Sequence, residues 1–157
     1  MEIEKRVNDS LTEQTYIVMP SHINGSNRLF GGQLLAWIDE LAGIVAMRHS
    51  SGTVITACID NLQFKRGAHI NDLVVLVGKI TYVGNSSMEV RIDTYVEEKD
   101  GKRYPINRAY FVMVALDNEE KPKRAPRLII ETPEQQAEWD AAVKRNELRA
   151  QRKAEGY

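Results

Sequence analysis

Residues Gln33 to Met47 read QLLAWIDELAGIVAM, an apolar run opened by Gly31-Gly32 and closed by Ser50-Ser51-Gly52. The run predicts one long helix from Gly31 to about His49. At about 100° per residue, Leu34, Leu35, Ile38, Leu41, Ile44, Val45 and Met47 point in nearly every direction around Trp37. A helix apolar on all sides is expected to be buried on all sides.

The rest of the chain supplies the cover. Thr15 to Met19 is β-branched and aromatic, and Pro20 ends it. Val54 to Phe64, Leu73 to Val83, Met88 to Val96 and Asn107 to Leu116 are four further runs of strand composition. Asn71-Asp72, Gly84-Asn85 and Asp100-Gly101 supply turn chemistry between them. This spacing suits antiparallel meanders rather than βαβ units. The expected fold class is α+β, with an antiparallel sheet of about five strands wrapped around the long central helix.

An extra C-terminal helix is expected over about 133–154. Thr132 suits its N-cap, Pro133 its first position and Gln135 the capping-box position. The helix is charged to its end, and only Ala137, Trp139, Ala142, Val143 and Leu148 offer apolar surface. It is expected to lie on the body or on a partner and to fray at its tail. Residues 1–13 are polar and expected to be loose at their start. Pro122 to Arg127 is the one linker-like stretch and is too short to separate domains. The 157 residues therefore read as a single domain with its core at about 14–127.

Lys and Arg number 21 against 22 Asp and Glu, a formal charge of −1. Such a balance gives no global pull toward nucleic acid or an anionic membrane, so any anionic ligand must be held locally. Cys58 is the single cysteine and rules out an intrachain disulfide. With no apolar run behind Met1, a cytoplasmic protein is expected, with neither membrane nor nucleic acid as partner.

Asp39 is the unexpected residue of the apolar helix. It falls about 200° from Trp37, beside Leu35, Ala36, Gly43 and Ala46. Three of these are small and let a backbone or ligand come close. A carboxylate buried there costs several kcal/mol unless paired. No Arg or Lys lies one turn away, and a carboxylate so placed suits a general base; the alternative is that Asp39 stands half exposed at a dimer seam and is merely solvated. The helix entrance, Phe30-Gly31-Gly32-Gln33, offers no Ser, Thr, Asp or Asn as a cap. Its first amides are therefore expected to be free for a developing oxyanion or a phosphate. Asn24 in the preceding loop can donate to a carbonyl, orient a water, or simply close an Asx turn.

Other chemistries lack their marks. There is no G-x-S-x-G elbow. His22, His49 and His69 lack paired metal-ligand spacing, so no metal is expected. Cys58 sits in an apolar-leaning run and reads as core rather than nucleophile.

The whole stretch from Asn24 to Asp39, NGSNRLFGGQLLAWID, resembles the signature of the bacterial and mammalian acyl-CoA hydrolase branch of the hotdog-fold thioesterases. Val54 to Phe64 and Val83 to Ser87 (VGNSS) resemble that family's following strands, so the likeness runs from about Thr15 to Pro126. It implies a hotdog fold and a homo-oligomer, a dimer or a trimer of dimers. The active site would lie between subunits, with Asp39 from one and Asn24 from the other. The implied activity is hydrolysis of acyl-CoA to a free acid and CoA, with no cofactor beyond the CoA of the substrate. The amides around Gly31 and Gly32 would polarise the thioester carbonyl. Thr56 would add a hydroxyl or simply serve β-propensity; Ser86 and Ser87 would meet the CoA arm or simply form a turn. Lys65-Arg66 and Lys121, Lys123, Arg124 and Arg127 are candidate holders of the CoA phosphates. Two positions depart from the pattern: Asn27 stands where glycine is common, and His22 where an acidic residue is common. The alternative is a non-catalytic hotdog that binds acyl-CoA as a sensor or scaffold. His49 is the one histidine placed to suit a dehydratase-type hotdog.

Overall fold

The computed structural model describes residues 2–157, apart from the side chain of Asn61. The elements are β1 (Glu4–Arg6), α1 (Val7–Ser10), β2 (Thr12–Ile17), α2 (Gly31–Ser50), β3 (Thr53–Phe64), β4 (Leu73–Val83), β5 (Ser87–Glu97), β6 (Arg103–Leu116), β7 (Arg127–Ile129) and α3 (Pro133–Glu155). β2, β4, β5, β6 and β3 form one antiparallel sheet in that order. The sheet curls around α2, so the expected α+β hotdog architecture is present.

The core lies between helix and sheet. Trp37, Ile38, Leu41 and Val45 of α2 pack with Val74, Leu76, Ile80, Val90, Ile92 and Phe111, all essentially buried. Each such side chain contributes about 1.5–3 kcal/mol on burial. Gly78 lets the helix come close: a Cβ there would lie 2.9 Å from Val45 Cγ2 and from Ile92 Cδ1.

The helix is not covered all round, which corrects the expectation. Gly32, Ala36, Asp39, Glu40 and Met47 form an exposed stripe. One sheet layer covers only one side of a cylinder about 10 Å across. Among the described residues, no helix is long and apolar enough to cross a membrane.

From Glu4 onward the chain is ordered rather than loose. β1 pairs in parallel with β7, which begins at Arg127, the last residue of the linker-like stretch. Lys5 Nζ donates to the Arg48 carbonyl at 2.7 Å and to Ser51 Oγ at 2.6 Å. That places a cation on the carbonyl end of α2, where the helix dipole favours it. β6 begins at Arg103 rather than near Asn107, because Pro105 is accommodated beside a register shift against β5.

α3 starts as expected, with Thr132 Oγ1 accepting from the Gln135 amide at 3.1 Å. Gln135 Oε1 reaches back to the Glu131 amide, one residue before the cap. The tail does not fray: the helix continues to Glu155 and closes on Gly156 at φ +90°. α3 crosses the outer face of the sheet. Trp139 meets Tyr82 of β4 at 4.4 Å between ring centroids. Arg145 and Arg149 donate to Glu89 of β5, which is 2% exposed. Arg145 also lies 3.7 Å over the Tyr110 ring of β6. Arg149 and Arg152 reach Asp60 of β3, one of the sheet's two edge strands.

Candidate active site

Asp39 is exposed on α2, not buried. Of the small residues around it, Ala36 belongs to the exposed stripe, Gly43 is half-buried and Ala46 is buried in the core. Thr56 of β3 donates its hydroxyl to Asp39 Oδ1 at 2.7 Å. The register of β3 against β6 shifts between Thr56 and Cys58, which inserts Ala57 as a bulge. Bulges re-aim side chains. Here the bulge adjoins the residue that fixes the carboxylate. Cys58 is half-buried rather than in the core; its strand lies at the sheet edge, where one side stays open.

Asn24 forms the Asx turn that its loop position allowed. Its Oδ1 accepts from the Ser26 amide at 2.9 Å and the Arg28 amide at 3.3 Å. Its Nδ2 donates to no other described residue and stays free for a ligand. Asn27 takes the left-handed backbone, φ +58°, that a glycine would otherwise supply. His22 closes the loop's base, a role with no sequence signal. Its carbonyl accepts from the Phe30 amide at 2.8 Å, its Nδ1 from the Met19 amide at 3.0 Å. Its ring meets Trp37 edge-on, and Trp37 stacks on Tyr16 at 4.3 Å.

The entrance of α2 is open as expected. Phe30 is the N-cap and makes no side-chain cap. The Gly31 and Gly32 amides donate to no other described residue. The Phe30 ring flanks Gly32 so closely that a Cβ there would lie 2.4 Å from it.

A cleft of about 300 Å³ opens beside this entrance, lined among others by Asn24, Arg28, Gly31, Phe64, Lys65 and Arg66. Its three cations form no salt bridge among the described residues. Arg28 was not among the sequence candidates; only its neighbours Lys65 and Arg66 were, as an adjacent pair. Arg66 lies 5.1 Å from the Tyr104 ring centroid.

The remaining candidates sit elsewhere. Ser86 and Ser87 frame the β4–β5 turn, with the Ser87 carbonyl accepting from Gly84 at 2.8 Å. Arg127 donates to the Gly84 carbonyl at 2.6 Å, and Arg124 to Asn85 Oδ1 at 3.0 Å. Arg124 also pairs with Glu2, and Lys121 with Glu119. Arg124 and Arg127 are thereby tied to the β4–β5 turn, while Lys121 and Glu119 both stay exposed. His49 is fully buried, and its Nε2 contacts the Pro126 carbonyl at 2.8 Å. One chain thus gathers Asn24, Gly31, Lys65 and Arg66 at one end. It holds Asp39 with Thr56 eight residues, about 12 Å, farther along α2.

The model of the Thioesterase superfamily matches residues 26–101. The chain is 36% identical over 146 residues to the uncharacterised acyl-CoA thioester hydrolase YkhA of Bacillus subtilis (strain 168), covering 92% of this chain and 85% of that protein. A hexameric acyl-CoA thioesterase, solved in its apo form, superposes with a TM-score of 0.92 at 36% identity, over 97% of this chain and 98% of that one. An acyl-CoA hydrolase from Staphylococcus aureus, solved with butyryl coenzyme A, coenzyme A and coenzyme A disulfide, gives a TM-score of 0.92 at 33% identity, over 97% and 93% of the two chains. With its sheet curled round α2 and these likenesses along nearly its whole length, the chain belongs to the hotdog-fold acyl-CoA thioester hydrolases of the thioesterase superfamily.

Proposed function

We propose that two copies of this single-domain chain share each active site and hydrolyse an acyl-CoA to a free acid and CoA. The observation that carries this reading is the Thr56–Asp39 hydrogen bond at one end of a free edge strand. β3 is 12 residues long, with Ile55 50% and Ile59 42% exposed. A long, apolar, open edge invites pairing. Antiparallel self-pairing about a two-fold axis turns the partner end for end. The partner's cleft at the Phe64 end then arrives beside this chain's Thr56 and Asp39. One copy supplies the carboxylate; the other supplies Asn24 and the open amides.

In this site Asp39 takes a proton from the water that attacks the thioester carbonyl. Alternatively it attacks directly, giving an anhydride that water opens. Either route releases the acid and the CoA thiol. The amides of Gly31 and Gly32 hold the carbonyl oxygen as it gains charge. Asn24 Nδ2 positions water or carbonyl, and Thr56 orients Asp39. Arg28, Lys65 and Arg66 hold the CoA phosphates. Ser86 and Ser87 face the CoA arm. Met113 pairs with both Thr56 and Met88, so Ser87 stands almost level with Thr56, two strands in.

Three alanine variants of the Staphylococcus aureus hydrolase replace an asparagine, an aspartate and a threonine. Their separations, 15 and 17 residues, are those between Asn24, Asp39 and Thr56 here. This likeness supports the three assignments. Relatives that are hexameric support assembly as a dimer or a trimer of dimers. A cytoplasmic location, where acyl-CoA and a free Cys58 coexist, completes the reading.

A thiol-release assay over acyl-CoAs of increasing chain length tests it. Turnover on at least one length is expected. Binding of CoA with no turnover on any length would leave a sensor or scaffold instead.

A further inference from the structure

α3 is the element the shared site does not use. It crosses from β4 to the free edge at β3, where Arg149 and Arg152 straddle Asp60. Beyond Arg152 the helix runs on to Glu155, about 4.5 Å farther, close to one strand spacing of about 4.8 Å. Its end therefore stands over the place where a strand added to β3 would lie.

Beside that end is a cleft of about 440 Å³ lined by Asp60, Arg145, Leu148, Arg152, Glu155 and Tyr157, with Gln151 at its rim. Leu148 is 55% exposed and Tyr157 81% exposed. They are the large apolar side chains that the docked helix leaves uncovered; Leu148 lies on the flank of α3 beside Arg145 and Arg152, which fix the helix to Glu89 and Asp60. Nothing within the chain covers them among the described residues.

The end-for-end pairing that sets Phe64 of one copy against Thr56 of the other centres its two-fold near Asp60. α3 crosses β3 beside Asp60, so the same operation brings a second α3 down alongside the first. We infer that the carboxy-terminal half of α3 is an isologous clasp. Its Leu148 and Tyr157 pack on the same face of the partner's α3, across the seam of the joined sheets. This inference rests on the shared-site reading through the pairing of β3, with which the cleft is continuous. Its occupant is a second copy of this chain. The clasp would stiffen the outer side of β3, while Thr56 on the inner side holds Asp39.

The test uses cysteine cross-linking with the full chain, in a Cys58→Ala background that removes the single native thiol. Leu148→Cys is compared with Ala137→Cys, which lies 11 residues, about 16 Å, back along the helix. Both positions are exposed, so both variants should fold. A short bismaleimide is expected to convert most Leu148→Cys protein to covalent dimer on a denaturing gel. Ala137→Cys is expected to give at least tenfold less. Light scattering on the same samples separates the two ideas. An oligomer whose Leu148→Cys subunits fail to cross-link, or cross-link no better than Ala137→Cys subunits, overturns the clasp and leaves the paired site standing. A monomer overturns the β3 pairing and the clasp with it.

Discussion

Thr56 Oγ1 donates to Asp39 Oδ1 at 2.7 Å, tying the acid on the central helix to an edge strand of the sheet. The bond restricts the carboxylate's rotation and leaves its second oxygen free. Thr56→Val should therefore lower kcat about 10- to 100-fold, the usual effect of deleting a hydrogen bond to a charged group, with little change in KM. Thr56 is exposed, so the melting temperature should stay near wild type. Steady-state kinetics and a thermal melt check both halves. A kcat unchanged from wild type would remove Thr56 from the site.

The open amide at Gly32 is testable without disturbing the helix. Proline is tolerated in the first turn, where its missing N–H has no partner to lose. Gly32→Pro should keep the far-ultraviolet dichroism while kcat falls by about 10²- to 10³-fold, the scale of a lost oxyanion donor. The exposed Phe30 ring has room to swing away from the added atoms. Retained kcat in a folded variant would place the oxyanion elsewhere.

Much of this arrangement was legible in the sequence. Gly31-Gly32 and Ser50 marked the ends of α2, and alternating β-branched residues marked the four long strands. Asp39's exposure was legible only as the alternative to burial, because a helical wheel counts apolar directions but not how many of them one sheet can cover. Pro105 hid the start of β6, since a proline within a strand needs the register shift that only the partner strand reveals. The β1–β7 pairing and Lys5's hold on the end of α2 join residues more than 40 positions apart. His22 likewise acts through the backbone groups it happens to face. Arg28 reached the basic cleft only once the loop had closed.

Glu89 predicts how firmly α3 is held. Burial alone would raise its pKa; hydrogen bonds from Arg145, Thr81 and Arg149 outweigh burial and hold it below the usual carboxylate range. Removing one partner of a buried pair costs about 3–5 kcal/mol. Glu89→Gln should therefore lower the melting temperature by roughly 6–12 °C or more for a chain of this size. A pKa depressed by folding contributes stability that is present above the unfolded value, about 4.3. That stability is lost as the pH falls through the folded value. Melts from pH 6 down to pH 3 should fall more steeply for wild type than for Glu89→Gln. Parallel curves would contradict the account.

His49 gives a second, separate pH window. Burial holds its pKa below the usual histidine value. The contact with Pro126 opposes the shift, and Lys5 and Arg127 add to it. The unfolded chain takes up a proton near pH 6.5 that the folded chain refuses. The contribution is full above that pH and is lost as the pH falls toward the depressed folded value. His49→Gln, whose amide can still donate to Pro126, should flatten the stability slope between pH 7 and pH 5. Urea denaturation at several pH values measures it, and an unchanged slope would refute the assignment.

Complementation between inactive subunits is the most direct test of the shared site. Asn24→Ala and Asp39→Ala homo-oligomers should each be nearly inactive in thiol release from acyl-CoA. Dissociated, mixed in equal amounts and reassembled, they should recover up to about a quarter of wild-type activity, because half the two-fold pairs then hold one intact site of two. Exchanged subunits that stay as inactive as their parents would contradict a site built from Asn24 of one copy and Asp39 of another.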